Sequence, residues 1–296
     1  MHDASHAGYI DLGHALRAGW VEFWYQPKID LRSRQIVGVE MFARARHPFH
    51  GMISGGVILA GAEDPLLMQL AVFSLRWAMQ ANVALTQEQV RLPITVNMPA
   101  CAVDAKMLAT LFEQGPQERC DLIFDLPKHD MLDAYARLDS MGPQLAGLGI
   151  RLAVDDFCGA LRRLMRATDP EALYDEMEAV SRQLRKLTTL SLAEIKLERD
   201  LVAGCAQEES RAMLCELVID LIHQLGAKAV AVGVERHADV ALLSRIGCDI
   251  AQGHVFGEPK PLDDFLALLR RRVKGLAASK ARQASALRLS NPSGTR

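Results

Sequence analysis

Residues 151–159 read RLAVDDFCG, an apolar run that drives into two adjacent carboxylates, Asp155 and Asp156, then Phe157 and a small-residue turn. A buried strand that ends on two like charges is costly unless water, a cation or a hydrogen-bond donor receives them. Taken alone, the pair also reads as a solvated strand-end turn. Working outward, the pattern of an apolar run closing on a polar residue recurs. Residues 23–31 (FWYQPKIDL), 36–45 (IVGVEMFARA), 92–99 (LPITVNMP) and 121–127 (DLIFDLP) precede it, and 193–198 (AEIKLE), 229–235 (AVAVGVE) and 250–256 (IAQGHVF) follow. Most are continuous apolar runs, as expected for strands covered on both faces. Helical spacing fills the intervals at 10–20, 64–83 (opened by Asp64-Pro65), from about 104, 130–146, 208–225, 237–246 and 261–273. Strands alternating with helices predict an α/β fold, a single TIM-like (β/α)8 barrel, with a doubly wound open sheet as the alternative.

The chain of 296 residues is half apolar and carries a net charge of -2. It can bury a large core, and it lacks the basic face that a nucleic-acid partner requires. Six cysteines show no C-x-x-C pair and no close histidine spacing, which argues against a zinc site or disulfide framework. The opening MHDASHAGYIDLG has no cationic segment followed by an apolar one, so no signal peptide is expected. The apolar run from Leu66 to Leu75 is too short for a bilayer and is interrupted by Gln69. A soluble, cytoplasmic protein with no membrane partner is therefore expected. Residues 1–273 are expected to form one barrel domain with a helical insertion at about 160–190, between strands five and six. The basic tail 274–296 is expected to be disordered or a frayed helix.

In such a barrel the C-terminal strand ends converge on one rim, where active sites are built. Glu40, Asn97, Asp125, Asp155, Asp156, Lys196 and Gln252 all fall at or near those ends. Singly each has a bland reading: Glu40 a solvated carboxylate, Asn97 a helix cap, Lys196 a structural ion pair. Together they form an oxygen-rich ring with one lysine, the ligand chemistry of Mg²⁺ or Mn²⁺. Metal-assisted phosphoester hydrolysis suits that chemistry.

The motifs FWYQPKIDLRSRQIVGVEMFARARHP, ITVNMP, IFDLPKHD, LAVDDFCG, EIKLERDLV, AVAVGVE and IGCDIAQGHVFGEP occur in order over about residues 10–272. In this the chain resembles the EAL domain family of cyclic di-GMP phosphodiesterases, with Glu40-Met41-Phe42 at the place of the name-giving Glu-Ala-Leu. The resemblance implies an EAL-type barrel whose first strand runs antiparallel, which the short link between residues 30 and 36 suits. It implies metal ligands at Glu40, Asn97, Asp125, Asp155 and Asp156, and a catalytic lysine at Lys196. It further implies dinucleotide contacts or pocket ordering at Gln26, Arg44 and Gln252, with hydrolysis to pGpG in active members.

The departures from the family pattern bear on activity. The Ala-Glu-Gly-Val-Glu motif reads Ala231-Val232-Gly233-Val234-Glu235, so the first glutamate, which serves the metal-bound water, is Val232. An isopropyl group neither binds a cation nor accepts a proton, and losing a general base costs roughly 10²–10⁴-fold in rate. Asp125 replaces a glutamate, Lys128 replaces another, and the loop after Asp155-Asp156 becomes DDFCGALRRL. His254 stands for a tyrosine and reads as a rim packing residue. These changes predict a degenerate protein of cyclic di-GMP signalling with little or no hydrolysis, acting as a nucleotide receptor or as a regulator that binds another protein. The alternative is a working metal-dependent phosphodiesterase. Cyclic di-GMP, a protein partner and a second copy of the chain are the partners the resemblance allows.

Overall fold

Two long strands set the frame. β1 (Val21–Asp30) and β2 (Ile36–His47) pair antiparallel along nearly their whole length. The turn between them is held by Asp30, whose carboxylate accepts from the Ser33 N–H at 2.5 Å, an Asx-type turn that closes the hairpin locally. The computed structural model describes residues 11–104, 120–155, 186–188 and 190–272. From β2 the sheet continues through β4 (Ile94–Asn97), β5 (Leu122–Pro127), β6 (Ile150–Asp155), β7 (Leu192–Leu197), β8 (Lys228–Ala231) and β9 (Ile250–Ala251), each parallel to the one before. β9 then pairs antiparallel with β1, which closes a ring of eight strands. The closure excludes the open sheet, and β1 is antiparallel to both its neighbours, as the resemblance implied. A further strand, β3 (Gly51–Ser54), hangs antiparallel on the end of β2 outside the ring; the sequence reading had no strand there.

Helices wrap the ring because their buried positions recur at helical spacing. On α3 (Asp64–Gln87), which follows α1 (Leu12–Arg17) and α2 (Gly55–Ile58), the buried set is Ala71, Ser74, Leu75, Ala78, Ala81 and Leu85. Small residues in that stripe let the helix approach the sheet closely, and each fully buried large aliphatic side chain contributes roughly 1.5–3 kcal/mol. Pro65 sits in its first turn, where a missing N–H costs nothing. The helix expected over 130–146 is divided into α4 (Lys128–Asp133) and α5 (Tyr135–Gly147). α6 (Arg199–Val202), α7 (Glu209–Gln224) and α8 (His237–Arg245) follow, and residues 262–272 are helical.

The last two strands are shorter than the apolar runs that predicted them. β8 stops at Ala231 and β9 at Ala251. Beyond them the apolar residues pack in loops: Val234 is fully buried, and its N–H donates to the Gln252 carbonyl at 3.0 Å. Among the described residues, no helix is long and apolar enough to cross a membrane. The helix expected from about 104, most of the insertion at 160–190, the tail 274–296 and Asp156 lie outside the described residues.

Candidate functional site at the C-terminal rim of the barrel

The register of the parallel strands decides which polar side chains meet. Asn97 on β4 stands opposite Asp125 on β5, Glu40 on β2 opposite Gln26 on β1, and Lys196 on β7 opposite Val230 on β8. The inward-facing members of these strands converge at the centre of the ring. Lys196 Nζ donates to Glu40 Oε2 at 2.9 Å and to Asp125 Oδ2 at 2.5 Å, with all three side chains at most 3% exposed. Asn97 Nδ2 donates to Glu40 Oε1 at 3.3 Å and to the Met41 carbonyl at 3.1 Å. Glu40 is therefore held from two sides, by an ammonium and by an amide.

Burial in so low a dielectric forces the two carboxylates apart in acidity. Burial raises Asp125, the Lys196 ammonium opposes it, and the Glu40 and Asp155 carboxylates reinforce it, leaving Asp125 at about 7. Burial works against the charge on Glu40 too, but the Lys196 ammonium beside it prevails and holds that carboxyl below its ordinary value. Burial likewise disfavours the Lys196 charge, yet Asp125, Glu40 and Asp155 raise the lysine well above its ordinary value. Lys196 therefore remains an ammonium, Glu40 a carboxylate, and Asp125 the member of the set that takes up a proton near neutrality.

The other side of the rim is neutral. Gln252 Nε2 donates to Gln26 Oε1 at 2.9 Å, and Gln26 Nε2 donates to the Gly257 carbonyl at 2.9 Å. This pair of amides fastens the end of β9 to β1. Gly253 is required beside it, since a Cβ there would collide with the backbone of Val234. Val232 takes its place on this side, its N–H donating to the Leu197 carbonyl at the end of β7 at 3.1 Å. Glu235, the acid that the motif retains, is exposed and pairs with Arg199 at 2.6 Å and with His254 at 4.0 Å. It faces this surface pairing, whereas Glu40 and Asp125 face Lys196.

Arg44, two residues beyond Phe42 on β2, lies beside two aromatic rings, 5.7 Å from the centroid of Phe42 and 6.0 Å from that of Trp24. Its Nη1 donates to the Ala43 carbonyl at 3.0 Å. Next to it opens a cavity of about 300 Å³ lined by Phe42, Arg44, Gly55, Leu70, Asn97 and Pro99, among others. An apolar pocket with one guanidinium and one amide at its edge suits a flat, partly polar ring system attached to an anionic group.

The cation chemistry expected of this rim can be tested against the residues present. Glu40, Asn97, Asp125 and Asp155 supply oxygen donors, and Asp125 Oδ1 is buried without a hydrogen-bond partner. That is the donor set a hard divalent cation prefers. Among the described residues, however, no three Asp, Glu, His or Cys side chains converge closely enough to hold a metal unaided; Asp156, the remaining expected ligand, lies outside the described residues. The oxygen donors are of the type such a cation prefers, but the counter-charge the described carboxylates have is Lys196.

Some participants were missed by the sequence reading. Trp24 was counted within a strand but not as a neighbour of Arg44. Lys28, Glu194 and Thr95 are buried inside the ring one layer below the rim. A signal existed: each stands two positions along its strand from Gln26, Lys196 and Asn97 respectively, and so faces the same side.

Comparison with known proteins agrees with this architecture. The EAL domain profile matches residues 11–168 and 175–259. The chain is 30% identical over 266 residues to the bifunctional diguanylate cyclase/cyclic di-GMP phosphodiesterase MucR of Pseudomonas aeruginosa, covering 87% of this chain and 36% of that protein. It is 27% identical over 266 residues to the cyclic di-GMP phosphodiesterase RocR of the same organism, covering 86% of this chain and 62% of RocR. It thus spans only about a third of MucR and under two thirds of RocR. The solved MucR phosphodiesterase in complex with cyclic di-GMP superposes with a TM-score of 0.70 at 27% identity, covering 86% of this chain and 98% of that one. By sequence and by fold, the chain belongs to the EAL domain family.

Proposed function

We propose that this EAL domain binds cyclic di-GMP as a receptor and hydrolyses it little or not at all. The observation that carries the reading is Val232. It stands on the rim beside the end of β7, where the family's motif has a glutamate, and the remaining acid of the motif, Glu235, pairs with Arg199 at the surface. No described carboxylate from the β8 side reaches toward Lys196, Glu40 and Asp125. A general base is worth about 10²–10⁴-fold, so its absence separates binding from turnover.

The binding half of the reading rests on Arg44, on the Gln26–Gln252 amide pair and on the apolar cavity beside Asn97. Arg44 would meet a phosphate, and the aromatic faces of Phe42 and Trp24 would take a base. Glu40, Asn97, Asp125, Asp155 and Asp156 would hold Mg²⁺ or Mn²⁺; when bound, such a cation polarises phosphate oxygens. Lys196 keeps Glu40 and Asp125 together and neutralised in its absence. A second reading, a working phosphodiesterase, is favoured by the survival of Glu40, Asn97, Asp155 and Lys196. A protein partner and a homodimer are compatible with either.

Calorimetric titration of the purified chain with cyclic di-GMP, with Ca²⁺ present to suppress turnover, tests the receptor claim. Saturable binding that Arg44→Ala weakens at least tenfold is expected. Absence of binding by the wild-type chain would remove the nucleotide from the account and leave a protein-binding role.

A further inference from the structure

Beneath the rim lies a second charged layer that neither nucleotide binding nor hydrolysis uses directly. Lys28 on β1 and Glu194 on β7 form an ion pair, and Lys28 Nζ also donates to Thr95 Oγ1 on β4 at 3.1 Å. Lys28 is 1% exposed, Glu194 4% and Thr95 0%. β1 runs opposite to β4 and β7. Lys28 therefore lies as far below Gln26 as Thr95 lies below Asn97 and Glu194 below Lys196, by the two-residue period of a strand. Each of these three floor residues thus lies under a polar rim residue of its own strand. Gly38 is the register partner of Lys28 on β2, and the lysine stem runs alongside it.

Barrel interiors are ordinarily filled by layers of branched apolar side chains. A buried ion pair in that place costs desolvation that an apolar filling avoids, so it is a poor choice for stability alone. What it supplies is a fixed charge pattern under Lys196 and Glu40. The Glu194 carboxylate lies on the same strand face as Lys196, and Lys28 adds to the charges that hold Glu40 ionised, after burial, which opposes it, and after Lys196.

We propose that Lys28 and Glu194 are positioning residues for the rim: their pair fixes where the Lys196 ammonium sits between Glu40 and Asp125, and through it the geometry offered to a ligand. The ligand part of this inference rests on the receptor reading above; the positioning part does not.

The test uses Lys28→Met/Glu194→Met, which removes both charges and keeps volume. Proteins labelled with ¹⁵N at lysine Nζ are compared by ammonium ¹H–¹⁵N correlation, the Lys196 signal being assigned by its loss in Lys196→Met. Thermal unfolding and cyclic di-GMP titration are run in parallel. A double variant that unfolds at the wild-type midpoint, yet has a displaced or lost Lys196 signal and about tenfold weaker cyclic di-GMP binding, is the expected result, at the lower end of the effect of outer-shell partners. A wild-type Lys196 signal together with wild-type affinity would overturn the proposal and leave the pair a structural filling. If the wild-type chain itself does not bind cyclic di-GMP, the receptor reading fails while the Lys196 signal still decides the positioning claim. Should the methionine pair not fold, Lys28→Gln/Glu194→Gln keeps a hydrogen bond without charge and is judged by the same signal.

Discussion

The two halves of the rim are built from different materials. On the β2, β4, β5 and β7 side, an ammonium, two carboxylates and an amide bind one another in the interior. On the β8, β9 and β1 side, a pair of amides, a glycine-permitted backbone contact and Val232 hold the strand ends together with no buried charge at the level of the rim. The charged half can meet a phosphate or a cation, whereas the neutral half supplies shape. The departure on which the proposed loss of hydrolysis rests, Val232, lies in the neutral half. The charged half keeps Glu40, Asn97 and Lys196, with Asp125 where the family has a glutamate, and these side chains still bind one another.

The largest effects should come from breaking each half at its hardest point. Lys196→Met leaves Glu40 and Asp125 facing each other without a counter-charge, and breaking a buried pair from one side costs about 3–5 kcal/mol. Urea unfolding should register it, with Asp125→Asn partly restoring stability in the double variant. Gly253→Ala attacks the neutral half through backbone collision with Val234. A loss on the order of 4 kcal/mol or failure to fold is expected in the same assay.

A smaller effect separates the halves by pH. Asp125 stands at about 7, above its ordinary value of 3.8, so the folded chain keeps a proton that the unfolded chain releases. The stability tied to that proton is fully present below the ordinary value and is lost as pH rises through about 7. Glu40, held low, contributes in the opposite sense: its share is present above the ordinary carboxylate value and is lost as pH falls below it. Unfolding free energy measured from about pH 5 to about pH 8 should therefore decline, and Asp125→Asn should flatten that decline. Gln252→Leu in the neutral half strands the Gln26 carbonyl oxygen, costs about 1–3 kcal/mol and leaves the pH slope unchanged. Smallest of all, Glu235→Gln breaks the exposed pairs with Arg199 and His254 and should shift stability by about 0–1 kcal/mol.

Much of this was legible in the sequence. Apolar runs closing on single polar residues placed all eight barrel strands, and the resemblance added the direction of the first. The rim residues Glu40, Asn97, Asp125 and Lys196 were legible because each interrupts an apolar strand at the end that a parallel barrel gathers together. The floor pair was not, although Lys28 and Glu194 sit in the same strands, since a strand's own pattern says which face a residue takes but not which residue meets it across the ring. Strand ends beyond Ala231 and Ala251 were misread for a related reason: Val234 and Val255 are apolar because loops pack there, not because a ladder continues. β3 was invisible because Gly51–Ser54 is too short to carry a period of its own.

The claim that organises the account is that Val232 uncouples binding from turnover. Its most direct measurement is the formation of pGpG from cyclic di-GMP by the purified chain with Mn²⁺, run beside Val232→Glu and Glu40→Ala. The account predicts no appreciable product from the wild-type chain and measurable product from Val232→Glu. Rapid turnover by the wild-type chain, abolished by Glu40→Ala, would contradict it.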